Sequence, residues 1–353
     1  MKAIKTIAAL CAIGMVVSTM AMPVQAKTTS KTETEVITMD DTPTTTTKTK
    51  TTKKSKSSQV SWKNAGKALK CTVKTESDFY KAMSNAIRLN APTLKVIFDK
   101  GYKGKELVNT RSNAKTGLIY EYKNKYILDL GMSYNSVDCK VTQHNADYSV
   151  ATIKLSYSYW GTAIPYAYNT GDTSVIDDKY ETMYKIFSKA ADDCTETTDL
   201  GKAEYAWNWV IDNMVYDMSV VGKDLPKSFD NPAVNGKYPG VCDQYANAYI
   251  LLMRMLDVPC WLMRCYVVAD PIGNTDWSTG LARHGIVCAE INGEYRYFDP
   301  TFGKTKSIGK QTFNMTKEEV EQYYEAYVTT KENAGSEEER KIALSELEKY
   351  FIW

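Results

Sequence analysis

The stretch YPGVCDQYANAYILLMRMLDVP, residues 238–259, decides how this chain is read. Pro239 and Gly240 break regular structure, because proline lacks an N–H and glycine leaves the backbone unconstrained. Beyond the break, Cys242, Ala246, Tyr249, Ile250, Met253 and Leu256 recur at helical spacing. The spacing predicts a core helix with Cys242 in its first turn. A thiol there feels the positive end of the helix dipole, which favours the thiolate that a sulfur nucleophile needs. Backbone N–H groups at the same helix start can also stabilise an oxyanion. Taken alone, Cys242 fits better the plainer reading of a small buried side chain filling space at a helix end. Tyr238, just before the break, is a candidate oxyanion-hole donor or substrate-stacking residue; a packed loop tyrosine is an equal reading.

A second stretch, ARHGIVCAEINGEYRYFDPTF at residues 282–302, supplies the partners such a thiol requires. His284, Ile286 and Cys288 alternate with Gly285, Val287 and Ala289, which predicts a strand. Asn292-Gly293 is a strong two-residue hairpin turn, and Glu294 to Asp299 forms the return strand. Across that turn Ile291 pairs with Glu294 and Val287 with Phe298. His284 and Asp299 are then expected near each other at the open end of the hairpin. A carboxylate there accepts the imidazole N–H and fixes its tautomer, leaving the other ring nitrogen to take a proton from a thiol. A packed structural histidine remains an even alternative for His284 by itself.

Together the two stretches resemble the transglutaminase-like superfamily. The matching motifs are GVCDQYA around the cysteine, RHGIVCAEINGEYRYFDPT around the histidine and aspartate, and WNWVIDNMVYD upstream (207–217). Cys–His–Asp is that family's order, and the resemblance spans roughly residues 195–305. It implies an α+β, papain-like transglutaminase core, with the Cys-bearing helix packed on an antiparallel sheet. It further implies Cys242 as nucleophile, His284 as general base and acid, and Asp299 as the group that orients the histidine. In animal transglutaminases a tryptophan usually follows the histidine and calcium sites surround the core. Here Gly285 and Ile286 follow, and no acidic calcium loop stands out. The chain looks closer to bacterial secreted transglutaminase-like proteins, whose chemistry is diverse.

Outward from the core, four regions are expected. Residues 1–26 read as a signal peptide: Lys2 and Lys5 precede a mostly apolar run from Ile7 to Met20, and Val24-Gln25-Ala26 offers a cleavage site. Residues 27–58 are rich in Thr, Ser and Lys and poor in large apolar residues, which predicts a disordered linker whose lysines offer attachment to an anionic cell wall. Residues 59–173 form a smaller α+β region. Thr75 and Asp78 make a capping box before a helix from about Glu76 to Leu89, Leu118 to Leu128 is rich in Tyr and Ile, and Tyr148 to Tyr159 alternates as a half-buried strand. His144 is expected in a polar surface turn. Residues 174–353 form the transglutaminase-like domain. Its helical stripes run through Tyr180 to Phe187 and Ala203 to Met214, a loop carries Pro226, Pro232 and Pro239, and Thr316 to Trp353 reads as one or two amphipathic helices.

Composition excludes several other classes. The 44 basic and 42 acidic residues leave a charge of +2, too little to steer the chain to nucleic acid. No nucleotide-binding fingerprint is present, so no nucleotide cofactor is expected. Two histidines and no CxxC pair speak against a zinc site. Eight cysteines less Cys11 in the leader leave seven, an odd number, so one thiol at least stays outside any internal disulfide.

These readings converge on an exported, secreted or cell-surface thiol acyl-transfer enzyme. Its expected partner is an extracellular or cell-envelope protein or peptide, and its expected chemistry leans to protease or amidase action. A cross-linking transglutaminase is the alternative within the class. The rival from another class is an inactive binding module for protein or polysaccharide, using a surface rich in the chain's 25 tyrosines. Oligomeric state and disulfide pairing are not legible.

Overall fold

A computed structural model of the chain describes residues 37–39, 61–99, 118–119, 137–144, 149–157, 160–230, 232, 234–267, 282–303, 312–333 and 336–348. The expected signal peptide, most of the expected linker, most of the Tyr- and Ile-rich stretch 118–128 and residues 349–353 lie outside the described residues. The described residues fall into two compact units, divided between Val175 and Ile176.

The N-terminal unit comprises β1 (Ile37–Met39), β2 (Leu69–Val73), α1 (Glu76–Arg88), β3 (Thr93–Phe98), β4 (Val137–His144), β5 (Val150–Tyr157) and α2 (Trp160–Thr170). Its sheet runs in the order β1-β2-β3-β5-β4. The first three strands are parallel, and β5 is antiparallel to both of its neighbours. The expected capping box starts α1: Thr75 Oγ1 accepts from the Asp78 N–H at 3.2 Å, and Asp78 Oδ2 accepts from the Thr75 N–H at 2.8 Å. Phe79, Met83, Ala86 and Ile87 are buried along one stripe, so the helix is held by an apolar face against β2 and β3. Ala151, Ile153 and Leu155 of β5 are buried in alternation as expected. His144 ends β4 opposite Ala151 rather than lying in a turn. Within the segment expected to be disordered, Ile37–Met39 forms an edge strand beside β2; β-branched residues and an open sheet edge are sufficient local cause.

The C-terminal unit comprises α3 (Glu181–Asp192), α4 (Asp199–Asn213), β6 (Met214–Tyr216), α5 (Pro226–Phe229), β7 (Tyr238–Gly240), α6 (Cys242–Met255), β8 (Cys260–Val267), β9 (Ala282–Ile291), β10 (Glu294–Phe298), α7 (Lys317–Tyr323), β11 (Tyr324–Asn333), β12 (Ser336–Lys341) and α8 (Leu344–Leu347). Its five-stranded sheet runs β10-β9-β8-β11-β12 and is antiparallel throughout. Helix α6 packs on β8 and β9 and also against α3 and α4, which makes it the core helix of this unit. The chain is therefore α+β, with the Cys-bearing helix on an antiparallel sheet and a smaller α+β unit before it.

The C-terminal expectation needs correction. Among the described residues, the stretch read as amphipathic helices gives the short helices α7 and α8, with a β-hairpin, β11 and β12, between them. The glutamate-rich sequence favours helix locally, but β8 offers an unpaired edge. Pairing Tyr324 with Val267 and Ala326 with Cys265 fills it and buries Tyr324, Ala326 and Tyr327. Pro226, expected in a loop, opens the one-turn helix α5, where its fixed φ and missing N–H suit the first helical position.

Candidate active site

The start of α6 is set by its neighbours. Strand β7 pairs in parallel with β6, Tyr216 opposite Gly240, and delivers the chain to Val241. A Cβ on Gly240 would lie 3.2 Å from both Gln244 Cβ and Tyr245 Cδ2, so any side chain here would push on the first helical turn. Gln244 Oε1 accepts from the Val241 N–H at 3.0 Å, one half of a capping box that valine cannot reciprocate. The Gln244 side-chain amide donates to the Lys223 carbonyl at 2.5 Å, fastening the preceding loop to the helix. The far end closes as a Schellman motif. Asp257 takes a left-handed φ of 59°, and the Val258 N–H reaches back to the Met253 carbonyl at 3.0 Å. Cys242 is the first helical residue and is buried.

The hairpin takes the register read from its sequence, with Glu294 opposite Ile291 and Phe298 opposite Val287. Asn292 and Gly293 have φ of 56° and 83°, the two left-handed residues of a type I′ turn. At its open end His284 Nε2 donates to Asp299 Oδ2 at 2.7 Å, both side chains being buried. The other ring nitrogen of His284 is thus Nδ1. Asp299 is held from three more sides. Its Oδ1 accepts the Thr301 N–H at 3.0 Å, its Oδ2 accepts the Tyr324 hydroxyl at 2.8 Å, and its own N–H donates to the Thr312 carbonyl at 2.8 Å. The imidazole lies nearly parallel to the Tyr324 ring, 14° apart with centroids at 6.1 Å, and 5.5 Å from the Phe302 ring.

The two segments meet beside His284. A Cβ on Gly285 would lie 3.2 Å from Asp243 Oδ1, so the residue after Cys242 abuts the residue after His284. Arg264 on β8 stands opposite Gly285. Burial alone would lower its pKa, but the negative charge of Asp243, a hydrogen bond to Tyr327 and the field of Cys242 outweigh it and raise the pKa above the ordinary value. Cys265, opposite His284, donates its thiol to the His284 carbonyl at 3.6 Å, and burial pushes that thiol's pKa well up. Cys265 is therefore a packed thiol rather than a nucleophile.

Of the four residues singled out in sequence, the structure joins His284 to Asp299 by a direct hydrogen bond. It sets Cys242 at the helix start whose next residue touches the same strand. Tyr238 lies on β7 with its ring against Phe229, centroids 4.5 Å apart. Tyr324 and Arg264 were missed. Arg264 had a signal, a lone cation inside the apolar run CWLMRCYV. Tyr324 lay in sequence that reads as helix. A cavity of about 320 Å³ is lined among others by Met263, Val320, Tyr324, Ala326, Ile342 and Leu344. Among the described residues no group of three or more His, Cys, Asp or Glu side chains is arranged to hold a metal ion, and all seven described cysteines are thiols.

Residues 188–300 match the model of the transglutaminase-like superfamily, a span that contains Cys242, His284 and Asp299. This part of the chain is a transglutaminase-like domain. Structural comparison finds a candidate cysteine protease from Cytophaga hutchinsonii, 15% identical with a TM-score of 0.25, over 50% of this chain and 65% of that one. A candidate protease from Parabacteroides distasonis is 11% identical with a TM-score of 0.24, over 58% of this chain and 39% of that one. A protein named as a TGase is also 11% identical with a TM-score of 0.25, over 61% and 52%. The chain thus covers less than two thirds of each of these structures. A sequence search of curated proteins returns no match.

Proposed function

We propose that this chain is an exported thiol acyl-transfer enzyme acting on amide groups of extracellular or cell-envelope proteins or peptides, leaning to hydrolysis. The observation that carries this is the buried 2.7 Å hydrogen bond between His284 Nε2 and Asp299 Oδ2 beside the helix start bearing Cys242. The export part rests on the leader-like residues 1–26 alone.

In the proposed reaction Nδ1 of His284 takes the Cys242 proton, and the thiolate attacks the carbonyl carbon of the substrate amide. The positive end of α6 favours both the thiolate and the oxyanion. The tetrahedral intermediate collapses as the C–N bond breaks, the imidazolium gives its proton to the departing nitrogen, and a thioester remains on Cys242. Water attack, with its proton passing to His284, releases a carboxylic acid and regenerates the thiol. A primary amine attacking instead forms a new amide and makes the same site a cross-linking one. Asp299 holds the imidazole in the tautomer that carries hydrogen on Nε2 throughout.

The test incubates the protein with a glutamine-containing protein and a labelled primary amine, read by mass spectrometry. Cleaved or deamidated product, absent with Cys242→Ala, is the expected result. Amine incorporation that depends on Cys242 would replace hydrolysis by transfer. Neither product, together with retained binding of the test protein, would refute the enzyme and leave the binding module standing.

A further inference from the structure

We infer that Tyr324 is a positioning residue of the acid–base pair, bracing Asp299 and the His284 ring from a strand outside the family-matched residues. This rests on the proposed roles of His284 and Asp299. Tyr324 opens β11, whose backbone pairs with β8 at Val267, and β8 in turn pairs with β9 at His284. The tyrosine thus stands one strand beyond β8 and reaches the hairpin across it. Its hydroxyl donates to Asp299 Oδ2, the same oxygen that receives His284 Nε2, at 2.8 and 2.7 Å. Its ring lies within 14° of parallel to the imidazole.

One side chain therefore touches both members of the pair with two different groups. The hydroxyl fixes the rotation of the carboxylate and shares with the imidazole the charge on Oδ2, while the Thr301 N–H takes Oδ1. The ring limits tilting of the imidazole. Burial, followed by the charge of Asp299, holds the phenol pKa well above the ordinary tyrosine value, so the hydroxyl remains a donor under any physiological condition. A phenylalanine would fill the same space, but only a phenol supplies the second donor.

Among the described residues, titratable groups near the pair come from several elements. Asp299 follows β10, Tyr324 comes from β11, and Cys265 and Arg264 come from β8. Cys242 and Asp243 lie at the start of α6, where Asp243 approaches Gly285.

The test follows the imidazole signals of the full chain by NMR over a pH range, and the two histidines make assignment simple once His144→Gln removes one. Tyr324→Phe keeps the ring and deletes the donor. The His284 titration is expected to move to higher pH, because Asp299 then holds the imidazolium more strongly. kcat should fall about tenfold with little change in KM, the scale of one lost hydrogen bond to a charged group. The His284 shift should vanish when Tyr324→Phe is added to Asp299→Asn, since the effect passes through the carboxylate. A stably folded Tyr324→Phe whose His284 titrates as in the parent overturns the inference. Should that variant not fold, 3-fluorotyrosine at position 324 makes a stronger donor and is expected to move the titration to lower pH; an unmoved titration there also overturns it. These readings need no turnover, so a failure of Cys242→Ala to abolish activity would count against the proposed enzyme and leave the brace to be judged by titration alone.

Discussion

Cys71 and Asp299 are both buried, and burial acts on them in opposite chemical settings. Cys71 has a carboxylate neighbour where a donor would be needed: burial, with a smaller contribution from Asp78, pushes its thiol from 9.0 up to about 12. The sign follows directly. Above about pH 9 the unfolded chain gives up this proton while the folded chain keeps it, so folding stability is full below that pH and declines as pH rises toward 12. The decline is at most about 1.4 kcal/mol per pH unit. Urea unfolding of Cys71→Ala, repeated across that window, should show a shallower loss with pH than the parent, and equal slopes would count against the assignment. Asp299 instead has donors from His284, Thr301 and Tyr324 around its two oxygens. The sequence made His284 and Asp299 readable because a two-residue turn fixes register, and register fixes which side chains meet. It could not reveal Tyr324, because nothing local couples residue 324 to residue 299. That contact exists only after β11 has joined the sheet.

Elements were legible where one periodicity dominated. Helix α1 begins at its capping box, α6 at its Pro-Gly break, and the β9–β10 hairpin folds about Asn292-Gly293. The C-terminal stretch was misread because the helix propensity of its glutamates and lysines is a weak local preference. Tyr324 to Ala326 of β11 pair with the open edge of β8, Tyr324 and Tyr327 become buried, and tertiary pairing prevails. The hairpin turn carries its own prediction. Replacing Asn292-Gly293 by two alanines forces methyl-bearing residues to hold φ of 56° and 83°. Left-handed backbone of this kind costs about 1–2 kcal/mol per ordinary residue. The urea midpoint of the C-terminal unit should therefore drop, and turnover should drop with it as the His284–Asp299 pairing loosens. An unchanged midpoint would show that the turn does not set the register.

At the scale of the whole chain, the division near residue 175 follows the change from a mixed parallel sheet to helices that gather around α6. The strand order of either sheet was not legible in sequence, because order depends on edges that are far apart along the chain. The same separation bears on the sequence of events by which the site comes together. His284 and Asp299 are 15 residues apart, whereas Asp299 and Tyr324 are 25 apart, and Tyr324 also waits for β11 to dock on β8. A short hairpin closes in about 1–10 μs, although alone it is only marginally stable; contacts that need a distant strand form later. In a refolding experiment with pulsed hydrogen exchange, the amides of β9 and β10 should gain protection before those of β11, and the reverse order would contradict this. The acid–base pair is then an early and provisional contact, and its final basicity is acquired only when the last strands of the sheet arrive.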